Sequence, residues 1–183
     1  SQNIALVTDA GTPSISDPGF YLLSNLKSDI RVIPIPGASS LSCAMSLSRI
    51  PINSFIFMGF MSKKVSERKK KLYEISHTNL PICLFESKHR LIELLKDITE
   101  VFDQDITVGI FRELTKIHET IIHDSASNLI SYYEKNPPKG EFVLIISPKR
   151  VTNKPIEDYL AIIEGLISKK FTNKDIVEII NLF

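Results

Sequence analysis

Long apolar runs are missing from this sequence. No stretch approaches the roughly 18 apolar residues that a membrane-spanning helix needs, and no basic–apolar leader of the secretory kind opens it. A dominant charge is missing too. Lys and Arg number 22 against 21 Asp and Glu, a formal net charge of +1. Nothing global therefore marks a nucleic-acid binder, and any RNA contact has to come from a local patch. Cysteine is scarce, with only Cys43 and Cys83, each inside an apolar run. Buried free thiols in a reducing compartment are the reading. The absence of a Cys-x-x-Cys pair leaves zinc without support. The four histidines, His77, His89, His118 and His123, lack metal-ligand spacing. The glycine-rich phosphate loops are absent as well. The loop from Gly11 to Gly19 has neither the dinucleotide-binding spacing nor the Walker A lysine. Ser39 and Ser40 have no Gly-x-Ser-x-Gly context, which excludes a hydrolase elbow.

What is present is an ordinary globular composition, 43% apolar and 23% charged over 183 residues, enough for one or two domains. Residues 4–7 form a short apolar run before a dense group of turn formers, the pattern of a central parallel strand. Because it opens the chain almost at once, the start of the first domain is expected to lie outside this sequence. A helix at 20–26, a strand at 31–35 and a helix from Ser39 or Ser40 to Leu47 follow. The pattern restarts after Pro51. Strands are expected at 55–58, 81–85, 106–111, 119–122 and 142–146. Helices are expected at 65–75, 91–98 and 129–133, the last broken by Pro137-Pro138. This alternation predicts α/β layers, divided into residues 1–52, 53–148 and a helical extension at 149–183. The extension carries two amphipathic segments, 156–167 and 174–182.

Polar groups recur just after the expected strands: Asp9, then Glu86, then Arg112 and Glu113. In open α/β sheets, ligands bind outside the carboxyl ends of strands, so these are functional candidates; helix capping or a solvated loop charge is the plain alternative. Backbone groups and hydroxyls of the Gly11–Gly19 loop could hold a polar ligand, or the loop could be only a turn. The segment Lys63, Lys64, Arg68, Lys69, Lys70, Lys71 contains one acid, Glu67. It makes either a solvated helix face or a phosphate-contacting one.

The residues also carry a resemblance. Asp9-Ala-Gly-Thr-Pro-Ser-Ile-Ser-Asp-Pro-Gly19 resembles the signature loop of the ribosomal RNA small subunit methyltransferase I family, in the tetrapyrrole methylase superfamily. Further matches come in the family's order: Pro36-Gly37 with Ser39-Ser40, Gly59-Phe60 with Lys63, Phe85-Glu86-Ser87 with His89-Arg90-Leu91, Arg112-Glu113-Leu-Thr-Lys116 with Glu119, and Lys139-Gly140-Glu141. The likeness covers roughly residues 4 to 147 and is specific in combination. Ser62, Lys88, Phe111 and Arg49 depart from the family's usual residues. Its opening segment, with a Pro-x-Gly-Asn turn and a Glu-Asp-Thr-Arg motif, is expected before Ser1.

The resemblance implies a fold of two α/β domains, the first one partial here, with S-adenosylmethionine held in the cleft between them. It implies methylation of a cytidine ribose 2′-hydroxyl in 16S rRNA, a cytoplasmic setting and a homodimer. Thr12, Pro13, Ile15, Ser39, Ser40, Phe85 and Arg112 are expected at the cofactor. Glu86, Glu113 and Glu119 are expected to position or deprotonate the hydroxyl. Lys64, Arg68, Lys71, Arg90, Lys116 and Lys139 are expected at RNA phosphates; an internal ion-pair network is the alternative for Arg90, Arg112, Lys116 and Lys139. No metal is expected. A relative acting on a tetrapyrrole or protein, and a catalytically silent RNA- or ribosome-binding module, are the competing readings.

Overall fold

A computed structural model describes residues 3–9, 11–148, 156–173 and 175–176. The chain divides into two compact units, Ser1–Lys149 and Arg150–Phe183.

The first unit is built on a five-stranded sheet whose strands all lie between Ile56 and Ile146. They are β1 (Ile56–Phe60), β2 (Ile82–Ser87), β3 (Thr107–Arg112), β4 (Thr120–Ser125) and β5 (Glu141–Ile146), in spatial order β1-β2-β5-β3-β4. β1 runs parallel to β2, and β5 runs antiparallel to both β2 and β3. The first three strands in sequence therefore point the same way, and their carboxyl ends share one edge of the sheet. β4 pairs antiparallel with β3.

The near-continuous apolar character of β2 and β5 follows from cover on both faces. Ile82, Leu84, Leu144 and Ile146 face α3 (Val65–Ser76), α4 (Leu91–Val101) and α5 (Ala126–Lys135), and meet Leu72, Leu94, Ile98 and Leu129 there. Cys83, Phe111, Val143 and Ile145 face the other way, toward Ala44 of α2 (Ser40–Ser46). Burial pushes the Cys83 thiol up to about 12, so it behaves as a small apolar side chain. Ser39 caps α2, its hydroxyl accepting from Ser42 N–H at 3.5 Å. Ser125 caps α5 in the same manner, accepting from Asn128 N–H at 3.2 Å.

Two expected strands do not form. Residues 4–7 and 31–35 carry no strand and lie exposed: Ile4 is 88% and Ile35 85% accessible. An apolar run specifies burial but not its partner, and neither run meets a strand among the described residues. Between them α1 (Phe20–Ser24) is one short turn of helix with no buried residue.

In the second unit, α6 (Ile156–Ser168) forms where an amphipathic segment was expected. Most of the second expected segment, 174–182, lies outside the described residues. No described helix is long and apolar enough to cross a membrane.

Candidate functional site

Because β1, β2 and β3 are co-directional, the motifs that follow them gather at one edge of the sheet. Gly59 has φ +58, and the β1–β2 register shifts between Phe57 and Phe60. This glycine-centred bulge turns the end of β1. A Cβ at Gly59 would stand 2.7 Å from Ser16 Oγ. The Gly11–Gly19 loop is therefore docked on the end of β1, and only glycine lets it approach so closely. Ser14 and Ser16 of this loop both adopt positive φ, and the buried Ser14 Oγ has no hydrogen-bond partner among the described residues. Thr12 and Ile15 are exposed, and Pro13 is half-buried.

On that side of the sheet, Phe85 lies edge-on to Phe57 at 5.1 Å and to Phe60 at 5.6 Å. Phe60 is 56% exposed, so an aromatic wall continues from the core to the surface. Ser40 is exposed at the start of α2, and Ser39 is engaged as its cap.

Glu86 points to the opposite face, since side chains alternate along β2. It is 1% exposed. Its Oε1 accepts from Ser87 N–H at 2.7 Å and from Arg90 Nε at 2.9 Å; Oε2 has no partner among the described residues. Arg90 spans to the next loop, where its Nη1 donates to the Met61 carbonyl at 3.1 Å. Arg68 makes a parallel clamp. Its Nη1 donates to the Ser62 carbonyl at 3.4 Å, and its Nε donates to Asp97. Two arginines thus fix consecutive carbonyls just beyond β1. In this arrangement Glu86 is a positioning residue.

Arg68 corrects the expectation of a phosphate contact. It is 1% exposed and anchored on Asp97, itself 4% exposed. The signal was in the spacing: Val65, Arg68, Leu72 and Ile75 follow a helical period, so Arg68 occupies the apolar stripe. Lys64 and Lys71 remain exposed, each paired with an acid three residues on, Glu67 and Glu74.

The Arg112–Lys116 motif forms a stiff turn. Glu113 and Thr115 have φ +49 and +65, and Leu114 plugs into the core. Glu113 Oε1 accepts from Glu141 N–H at 2.8 Å and from Lys116 Nζ at 3.2 Å. The Glu141 N–H, with help from Lys116, holds this carboxyl below its ordinary range. Lys116 also reaches Glu141 at 3.0 Å, and its own pKa is raised by the two acids, Glu141 first. Glu119 is exposed and accepts from Thr115 N–H at 2.7 Å. Arg112 Nε donates to the Lys139 carbonyl, and its Nη1 donates to the His118 carbonyl at 3.2 Å. The Lys139 side chain is exposed. The structure therefore assembles the three carboxylates near one sheet edge but binds each into the scaffold. Sequence reasoning named Phe85 but missed the wall it forms with Phe57 and Phe60, and it missed the seat of Glu113 against Gly140, where a Cβ would come within 2.6 Å.

No group of three His, Cys, Asp or Glu among the described residues could hold a metal ion. An S-adenosyl group does fit the donor set on the Phe85 side. Its adenine suits an aromatic wall, and its polar groups suit a loop rich in hydroxyls and backbone donors.

The sequence profile of the Tetrapyrrole (Corrin/Porphyrin) Methylases matches residues 1–130. Ribosomal RNA small subunit methyltransferase I of Synechocystis sp. is 41% identical over 155 residues, covering 84% of this chain and 56% of its own length. The chain thus spans about half the length of that relative. Among solved structures, the methyltransferase CobJ matches with a TM-score of 0.57 at 14% identity, covering 75% of this chain and 61% of that one. The uroporphyrin-III C-methyltransferase of Thermus thermophilus, complexed with S-adenyl homocysteine, matches with a TM-score of 0.52 at 14% identity, covering 74% and 62%. These two likenesses concern the fold, a mixed α/β sheet of the tetrapyrrole methylase kind. With the profile match over most of its length, the chain belongs to the tetrapyrrole methylase family.

Proposed function

We propose that this chain is part of an S-adenosylmethionine-dependent methyltransferase that modifies the ribose 2′-hydroxyl of a cytidine in 16S rRNA. The observation that carries the reading is the convergence at one sheet edge of the Gly11–Gly19 loop, the Phe85 wall and the Arg112–Lys116 turn. The methyl donors of this family supply an electrophilic carbon on a sulfonium. In-line attack on that carbon requires fixed geometry and little water.

The chain's residues divide that work. In this reading Thr12, Pro13 and Ile15, with Ser39 and Ser40, hold the cofactor's polar groups. Phe57, Phe60 and Phe85 exclude water. The Glu86–Arg90 pair holds the Met61 carbonyl in place behind the wall. The Glu113–Lys116 turn presents fixed polar groups at the rim, whereas Arg112, expected at the cofactor, shares the face of Phe142 and lies away from the aromatic wall. Glu119 is the most accessible carboxylate of the three and can approach a ribose hydroxyl as proton acceptor once its bond to Thr115 is exchanged. The same reading divides the chain at 52/53 and 148/149. It carries with it 16S rRNA of the small ribosomal subunit as partner, a cytoplasmic location and a homodimer.

Calorimetric titration with S-adenosylmethionine tests it. Saturable heat, weakened by Phe85→Ala, is expected. A protein that gives no heat is the silent RNA- or ribosome-binding module instead.

A further inference from the structure

Cations normally find counter-ions in a folded chain, and the basic segment of α3 largely does so: Lys64, Arg68, Lys69 and Lys71 all pair with acids. Several cations elsewhere do not, and three of these stand together. Arg112, Lys135 and Lys139 form no ion pair among the described residues, and together they line a single recess of about 310 Å³. It opens between the end of α5 and the ends of β3 and β4. No carboxylate among the described residues lines it. The nearby acids are committed: Glu134 to Lys96, and Glu113 and Glu141 to Lys116.

The Arg112 guanidinium is held by the Lys139 and His118 carbonyls and by Thr120 Oγ1 at 3.4 Å. All three are neutral acceptors, so the cation is oriented without a contact ion pair to a carboxylate, although Glu113 lies within its field. That is the preparation an anion site needs. The other lining is flat and rigid. Tyr132 is 45% exposed and stands edge-on to Tyr133 at 5.0 Å. Tyr133 is fixed in turn against Phe142. Pro137 and Pro138 stiffen the far wall. The recess belongs to the Glu86 side of the sheet, away from the Phe85 wall, because Arg112 and Tyr133 share the face of Phe142.

A cationic trio beside an accessible aromatic ring selects a ligand with a phosphate and a flat base. We propose that this recess is a nucleotide subsite for single-stranded RNA, with a phosphodiester among Arg112, Lys135 and Lys139 and the adjoining base on the Tyr132 ring. The inference rests on the rRNA reading above and names where substrate beyond the reacting nucleotide is gripped. A volume at the small end of ligand pockets suits one nucleotide, and the exposure of Lys135, Lys139 and Tyr132 lets the strand continue on either side.

The test uses the whole chain and two probes: a short fluorescent single-stranded RNA followed by anisotropy at several salt concentrations, and 5′-CMP followed by amide NMR shifts. Tyr132→Ala is expected to weaken RNA binding about 5- to 150-fold. Lys135→Gln with Lys139→Gln should lower the log–log salt slope by about 0.7 per lost contact. Both variants should melt with the wild type. 5′-CMP should shift the amides of residues 132–136, Lys139 and Thr120. RNA binding that survives both variants with an unchanged slope overturns the subsite and leaves the rRNA reading standing. Competition by inorganic phosphate as effective as that by 5′-CMP, with no effect of Tyr132→Ala, overturns it in favour of a plain anion site. If neither probe binds, the subsite is refuted, and the S-adenosylmethionine titration decides the methyltransferase reading separately.

Discussion

Replacing Gly140 with Ala should damage the turn that carries Arg112 to Lys116, by two separable amounts. Gly140 has φ +90, a backbone region that costs an L side chain about 1–2 kcal/mol. The new Cβ would also fall 2.6 Å from Glu113 Cγ, Cδ and Oε1. Glu113 must then swing away and leave the Glu141 N–H and Lys116 without their shared acceptor. A hydrogen bond to a charged group contributes about 1.5–3 kcal/mol. The lower end applies here, because Lys116 and Glu141 are 48% and 77% exposed and screened by solvent. A loss of about 2.5–4 kcal/mol follows, which lowers the melting temperature by roughly 5–15 °C in a chain of this size. Urea denaturation should show the midpoint falling at constant slope. In a Glu113→Ala background the clash is gone, and Gly140→Ala should cost only the backbone share of about 1–2 kcal/mol. Equal costs in the two backgrounds, within about 0.5 kcal/mol, would refute the claim that Glu113 is why position 140 is glycine.

Arg68→Ala should destabilise the fold by about 1.5–3 kcal/mol, because buried Asp97 loses its bond to the Arg68 guanidinium and keeps only Lys69 at 3.6 Å, whereas Lys64→Ala should move stability by about 0.5 kcal/mol or less; similar denaturation midpoints for the two variants would contradict the burial of Arg68. His123 is half-buried against Phe111, and its Nε2 accepts from Arg49 N–H at 3.4 Å. Burial first, and Arg49 second, lower its pKa from the ordinary 6.5. The unfolded chain therefore takes up this proton before the folded one. The His123 contribution is complete above the ordinary value and lost as pH falls toward the lowered one. Melting temperatures at about pH 7.5 and about pH 5.5 should diverge more for wild type than for His123→Gln, and parallel losses would count against it.

From residue 54 onward the elements were legible because each apolar run is bounded by turn formers and the helices keep a 3.6-residue stripe. Before it, the runs at 4–7 and 31–35 misled, since β propensity names what a strand can bury and not which strand it pairs with. The strand-end carboxylates were legible as a group because parallel crossovers place the ends of β1, β2 and β3 together. Their individual states were not. Glu86 and Arg90 are four residues apart, and the pairing could be guessed. Glu113 meets Gly140 across paired strands, through a positive φ at Glu113 for which its own residue type gives no cue. Arg68 was obscured by its company: six basic residues in nine read as a charged surface, while the period of Val65, Leu72 and Ile75 put it inside.

The central claim is tested most directly by methyl transfer. The protein that carries this sequence would be incubated with S-adenosylmethionine labelled on its methyl group and with small ribosomal subunits lacking ribose methylation. The 16S rRNA would then be digested to nucleosides. Label is expected in 2′-O-methylcytidine, reduced by Phe85→Ala and by Arg90→Ala; label on a base, or none in the RNA while S-adenosylmethionine still binds, would contradict ribose methylation by this protein.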